Sequence, residues 1–148
     1  MYVDNFNENH NGYAKNSDIS AINIIYQGRE KSMKSVIIIE DDIDASNTLN
    51  DVCEIGNIRV LAKGYDGKEA IELFKQHKPD VVLLDIMMPQ YNGFYAIEGI
   101  QKIKKDAKIV VVTASIDQET QDKLAKLNVP IIQKPYDIND IVNAVNTC

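Results

Sequence analysis

Val81-Val82-Leu83-Leu84-Asp85-Ile86-Met87-Met88-Pro89-Gln90-Tyr91-Asn92-Gly93 is the stretch that decides the fold. Its first four residues are apolar without alternation and rich in β-branching, the pattern of a strand buried on both faces. A single aspartate, Asp85, ends that run. Pro89 and Gly93 punctuate the segment after it. From Gly93 to Lys105 the pattern becomes helical, with Phe94, Ile97 and Ile100 directed inward. A doubly buried strand followed directly by an amphipathic helix is one unit of a parallel α/β sheet.

The same alternation extends in both directions. Upstream, Val36-Ile37-Ile38-Ile39 is a strand, a helix carries Leu49, Val52 and Cys53 on one face, and Arg59 to Lys63 is a second strand. Gly67 to His77 then reads as a helix through Ala70, Ile71 and Phe74. Downstream, Ile109 to Val112 is the fourth strand, residues 117 to 127 a helix with Leu124 and Leu127, and Pro130-Ile131-Ile132 a short fifth strand. Asp137 caps a last helix carrying Ile138, Ile141, Val142 and Val145. The expected class is α/β, a five-stranded parallel sheet flanked by five helices.

The chain has 148 residues, 45% of them hydrophobic and 26% charged, with a formal net charge of −6. An acidic balance argues against binding nucleic acid or an anionic membrane non-specifically. No apolar run approaches the roughly 20 residues of a membrane span. Cys53 and Cys148 are too few for a disulfide framework or a zinc site, which fits a reducing, cytoplasmic setting. Residues 1–34 are Asn-rich with one short apolar patch, Ile19 to Tyr26, and read as a flexible extension. Residues 35–148 read as the compact domain, with Met33 an alternative start just before it.

Right-handed crossovers bring the C-terminal ends of all parallel strands to one edge, where sites form in open α/β sheets. Glu40-Asp41-Asp42 ends the first strand, Asp85 the third and Thr113 the fourth, while Lys134-Pro135 follows the fifth. Each alone reads as an ordinary cap or turn. Together, in order, at one edge, they form a chemical set. Crowded carboxylates repel unless a cation compensates, and a hard divalent ion such as Mg²⁺ suits oxygen ligands. A lysine supplies a point charge and a threonine hydroxyl a donor for phosphoryl oxygens. Aspartate is a nucleophile in aspartyl-phosphate chemistry.

On these residues the chain resembles the response-regulator receiver domain, including stand-alone chemotaxis-type receivers. The motifs are Val36-Ile-Ile-Ile-Glu-Asp-Asp42, Val81 to Gly93, Val110-Val-Val-Thr-Ala-Ser115 and Lys134-Pro135. The resemblance implies a flavodoxin-like receiver fold with Asp85 as phosphoacceptor. It implies a Mg²⁺ site of Glu40, Asp41, Asp85 and the backbone carbonyl of Met87, with Glu40 acting through water. It implies Thr113 as switch hydroxyl, Lys134 as phosphate partner, and a cis Lys134-Pro135 bond. One position departs: Ile131 stands where many receivers carry an aromatic ring, three residues before the lysine.

The implied function is a phosphoacceptor signalling module rather than an enzyme beyond Mg²⁺-assisted self-phosphorylation and dephosphorylation. A histidine kinase or histidine phosphotransfer protein would donate, and an unidentified downstream protein would respond, with neither nucleic acid nor membrane as partner. The alternatives are a receiver-like interaction domain that is not phosphorylated, and a phosphorelay intermediate or phosphate sink. A flavin protein of this topology is disfavoured because Glu40-Asp41-Asp42 would repel a flavin phosphate. An aspartyl phosphatase is disfavoured because Asp42-Ile43-Asp44 lacks the following hydroxyl residue.

Overall fold

The computed structural model describes residues 32–148. The expectation for the N-terminal extension therefore falls, up to residue 31, outside the described residues. The elements in order are β1 (Ser35–Ile39), α1 (Ile43–Ile55), β2 (Arg59–Gly64), α2 (Gly67–His77), β3 (Val81–Leu84), α3 (Gly93–Ile103), β4 (Ile109–Thr113), α4 (Gln118–Lys126), β5 (Ile131–Gln133) and α5 (Ile138–Asn146). The five strands form one sheet in the order β2-β1-β3-β4-β5, every pair parallel.

Strand period explains the layering. Ile37, Ile39, Val82, Leu84 and Val111 point to one face, packing with Phe74 of α2, Ile97 and Ile100 of α3, and Leu124 of α4. Val36, Ile38, Val81, Leu83, Val110 and Val112 point to the other, against Leu49 and Cys53 of α1 and Ile141 and Val145 of α5. An unbroken apolar strand is required because both faces are covered. Each fully buried Ile, Leu or Val contributes about 1.5–3 kcal/mol.

All five helices among the described residues begin on an Asx cap. Asp42, Asp66, Asn92, Asp117 and Asp137 each accept an amide N–H of their helix's first turn. Such a cap is worth about 1 kcal/mol. The sequence names Asp137 as a cap and offers the Glu40-Asp41-Asp42 cluster as another, but not Asp66, Asn92 or Asp117.

Several boundaries differ from the sequence expectation. β2 runs one residue further, to Gly64, and β4 includes Thr113. α3 stops at Ile103 rather than Lys105, because Lys104 turns to extended backbone with its N–H on Ile100 oxygen. Asp117 and Leu127 are the caps of α4 rather than its ends. β5 begins after Pro130, which has no N–H to donate; its carbonyl still accepts from Val111 at 2.9 Å. Phe94, expected to face inward, is half-buried, and Lys123 sits over its ring 4.4 Å from the centroid.

Candidate functional site

The strand register brings the expected residues to one end of the sheet. Ile39 pairs with Leu84, so Glu40 and Asp85 stand level just beyond β1 and β3. Both stay attached to the ladder: Asp85 donates its amide N–H to Ile39 oxygen at 2.9 Å, and Glu40 to Gly64 oxygen at 3.0 Å. On the other flank Thr113 pairs with Gln133, and Lys134 donates its N–H to Thr113 oxygen at 2.8 Å. Each functional side chain is therefore held by a strand end rather than a free loop, which fixes its position closely.

The three consecutive acids take three different environments. Glu40 is buried, its Oε1 accepting from the Asp42 amide at 3.1 Å and its Oε2 from Lys134 Nζ at 2.6 Å. Asp41 is exposed but offers a carboxylate oxygen to a group with Glu40 and Asp85 whose ligand atoms all lie within 4.8 Å of one another. Asp42 turns away to cap α1, accepting from Ala45 N–H at 2.8 Å. Asp85 is 8% exposed; its Oδ1 accepts from the Met87 amide at 3.0 Å and its Oδ2 lies 3.7 Å from Lys134 Nζ.

Burial, with neighbouring charge second to it, shifts the protonation equilibria of Glu40 and Lys134. Burial pushes Glu40 up to about 7, and the Asp85 charge adds to this, against the opposing pull of Lys134 and the Asp42 amide. Burial alone would lower the Lys134 pKa, but the hydrogen bond and charge of Glu40, with Asp85 beyond, raise it overall. Lysine thus stays charged, while burial leaves the Glu40 carboxylate under-compensated. The donors fit a small, hard divalent cation: all three side chains are carboxylates within mutual reach, and Asp41 is open to solvent for an ion that keeps its waters.

The remaining expected residues sit as follows. Thr113 is fully buried, and its hydroxyl donates to the Ser115 carbonyl at 3.5 Å. Ile131 is half-buried on β5 against the layer below α2, α3 and α4. The Lys134–Pro135 bond is cis. The Met87 side chain, two residues beyond Asp85, is 67% exposed.

Two glycines shape the site. A Cβ on Gly93 would lie 2.7 Å from the Cα of Ile86 and 2.9 Å from Asp85 oxygen, so the motif glycine lets α3 start against the strand end. A Cβ on Gly67 would meet the Asn92 and Tyr91 carbonyls at 2.6 and 2.7 Å, and the Gly67 amide donates to Tyr91 oxygen at 2.7 Å. Sequence reading missed Gly67, since its partner is a loop distant in sequence.

Comparison with known proteins agrees with this geometry. A family model described as the response regulator receiver domain matches residues 36–146. Chemotaxis protein CheY of Thermotoga maritima is 35% identical over 114 residues, spanning 76% of this chain and 95% of that protein. CheY of Bacillus subtilis is 28% identical over 112 residues, 75% of this chain and 93% of its own length. The probable C4-dicarboxylate response regulator DctR of Bacillus subtilis is 30% identical over 74% of this chain, which spans only 50% of that longer protein. Among solved structures, a LuxR-family DNA-binding response regulator from Staphylococcus aureus superposes with TM-score 0.72 at 26% identity, covering 78% of this chain and 98% of that one. CheY in the CheX-CheY-BeF3-Mg complex of Borrelia burgdorferi shares the fold, with TM-score 0.72 at 23% identity over 77% and 87% of the two chains.

Proposed function

Because the chain belongs to the response regulator receiver domain family, we propose that it is a CheY-like signalling module that takes a phosphoryl group onto Asp85. The donor is the phosphohistidine of a histidine kinase or phosphotransfer protein. An Asp85 carboxylate oxygen forms the new P–O bond as the P–N bond breaks, and the imidazole leaves with its electron pair. The observation that carries the reading is the Glu40, Asp41, Asp85 carboxylate group with Lys134 Nζ 2.6 Å from one acid and 3.7 Å from another.

Each residue has a physical task in this reading. Asp41 and Asp85, with the Met87 carbonyl, would hold Mg²⁺. Glu40, both of whose oxygens already accept hydrogen bonds, would act through a bound water. When bound, Mg²⁺ offsets the negative charge of the incoming phosphoryl oxygens. Lys134 turns from Glu40 toward the phosphoryl group, a short move given its present distance to Asp85. Thr113 gives up its long bond to Ser115 and donates to a phosphoryl oxygen instead. That shift alters the packing beneath α4 and β5, where Ile131 replaces the aromatic ring, and a partner protein reads the change.

Incubation with acetyl phosphate tests this directly. Intact-mass spectra should show one phosphoryl adduct with Mg²⁺ and none with chelator. A parent protein that stays unmodified with Mg²⁺ would make it a receiver-like interaction domain instead.

A further inference from the structure

Charge in this molecule is sorted by the sheet. Helices favour acids in their first turn and bases in their last. In a parallel α/β fold all helix starts lie at the strand C-terminal edge and all helix ends at the other. A preference of single helices thereby becomes a polarity of the whole domain. Asp42 and Asp44 open α1, Asp66 and Glu69 open α2, Asp117 and Glu119 open α4, and Asp137 and Asp140 open α5. The Glu40, Asp41, Asp85 group lies on the same edge, where these acids outnumber the bases Lys63, Lys68 and Lys134.

The opposite edge is basic beyond what helix ends require. Lys102 and Lys104 close α3, Lys105 and Lys108 flank the single acid Asp106 in the loop to β4, and Lys123 and Lys126 close α4. All six are exposed, and among the described residues none pairs with a carboxylate. Lys105 and Lys108 lie beyond Lys104, the C-cap of α3, so the helix end does not account for them. The edge is also recessed: a cleft of about 750 Å³ runs between Lys105, Asp106, Lys108, Asn128 and Pro130.

We infer that copies of this chain associate head to tail, the lysine edge around Lys105 and Lys108 of one copy receiving the acidic edge of the next. Both complementary surfaces belong to every molecule and face opposite ways, so the contact is heterologous and repeats. Association is salt-sensitive, because charges interact over about 30 Å at 0.01 M ionic strength but only about 10 Å at 0.1 M. Each contact also covers an acceptor edge. This consequence rests on Asp85 being the acceptor, whereas the association does not.

Sedimentation velocity on the full chain at about 20 mM and about 300 mM NaCl separates the outcomes. At low salt the weight-average mass should rise with protein concentration past about twice the monomer, and at high salt it should not. Two variants test the polarity. Lys102→Glu/Lys105→Glu/Lys108→Glu leaves two acidic edges, and Asp44→Lys/Glu119→Lys weakens the acidic one; none of these side chains is a cap. Each variant alone should stay monomeric, and an equimolar mixture should regain association. A wild-type monomer at low salt overturns the inference. So does association that survives the triple substitution, or a mixture that stays monomeric. Acetyl phosphate labelling, run in parallel, should slow at low salt only where association occurs. Failure of labelling everywhere would count against Asp85 chemistry and leave the mass result to judge association.

Discussion

Replacing Gly93 by alanine should injure stability and acceptor chemistry together. Gly93 is the first residue of α3, and its amide donates to Ile86 oxygen at 3.3 Å. The new Cβ would stand 2.7 Å from the Cα of Ile86 and 2.9 Å from Asp85 oxygen, where ordinary contact begins at 3.4 Å. Both obstacles are backbone, so the helix start or the strand end must move by about 0.7 Å to restore ordinary contact. Overpacking of this kind costs about 1–3 kcal/mol, and alanine's better helix propensity returns about 0.5–1 kcal/mol of it. The urea midpoint should fall by about 1 M. Because the displaced oxygen belongs to Asp85, the rate of labelling by acetyl phosphate should fall about tenfold or more, as misplacement of reacting groups by about 1 Å costs about 10²-fold. Gly99→Ala is the control. Its Cβ would meet Cδ1 of Ile71 and, at 2.6 Å, Cγ1 of the same side chain on α2. It should lose stability without slowing labelling of the folded protein. A Gly93→Ala protein with wild-type urea midpoint and wild-type labelling rate would refute the reasoning.

The Cys53 thiol, pushed up to about 12 by burial and then by the Glu54 charge, should resist iodoacetamide at pH 8 until the protein unfolds. Half-buried Cys148 should be alkylated first, as peptide mapping would report. Asp80 holds the start of β1, its Oδ2 accepting from the Ser35 amide at 2.8 Å and hydroxyl at 3.0 Å. The Ser35 amide chiefly, helped by its hydroxyl and the nearby Lys34 and Arg59 charges, holds its pKa below 3.8 against the opposing effect of desolvation. A depressed folded pKa means this stabilisation is present above 3.8 and lost as pH falls through the folded value. Urea midpoints of Asp80→Asn and wild type should therefore converge as pH falls below 3.8 and differ at about pH 6. Ser46 is buried and its Oγ lacks a partner among the described residues. Ser46→Ala should leave stability unchanged or raise it by about 1 kcal/mol in urea denaturation, since an unpaired buried hydroxyl carries a desolvation cost.

The fold was legible because β-branched runs such as Val36 to Ile39 and Val81 to Leu84 fit only a doubly covered strand. The site followed from topology, because parallel strands bring Glu40, Asp85 and Lys134 to one edge whatever the exact register. What sequence could not supply depends on contacts between distant segments. Nothing local in Lys134 shows that it pairs with Glu40 more closely than with Asp85, since both partners come from strands distant in sequence. The division of labour among Glu40, Asp41 and Asp42 likewise depends on how the chain turns into α1. Helix ends at Lys104 and Leu127 shifted because capping geometry, not periodicity, ends a helix.

The central claim is tested most directly by trapping the modified residue. After labelling with acetyl phosphate and Mg²⁺, borohydride reduces an aspartyl phosphate to homoserine and releases phosphate. Peptide mapping should then find homoserine at position 85 alone, and Asp85→Asn should yield none. Homoserine at any other aspartate, or adduct formation undiminished in Asp85→Asn, would contradict the account.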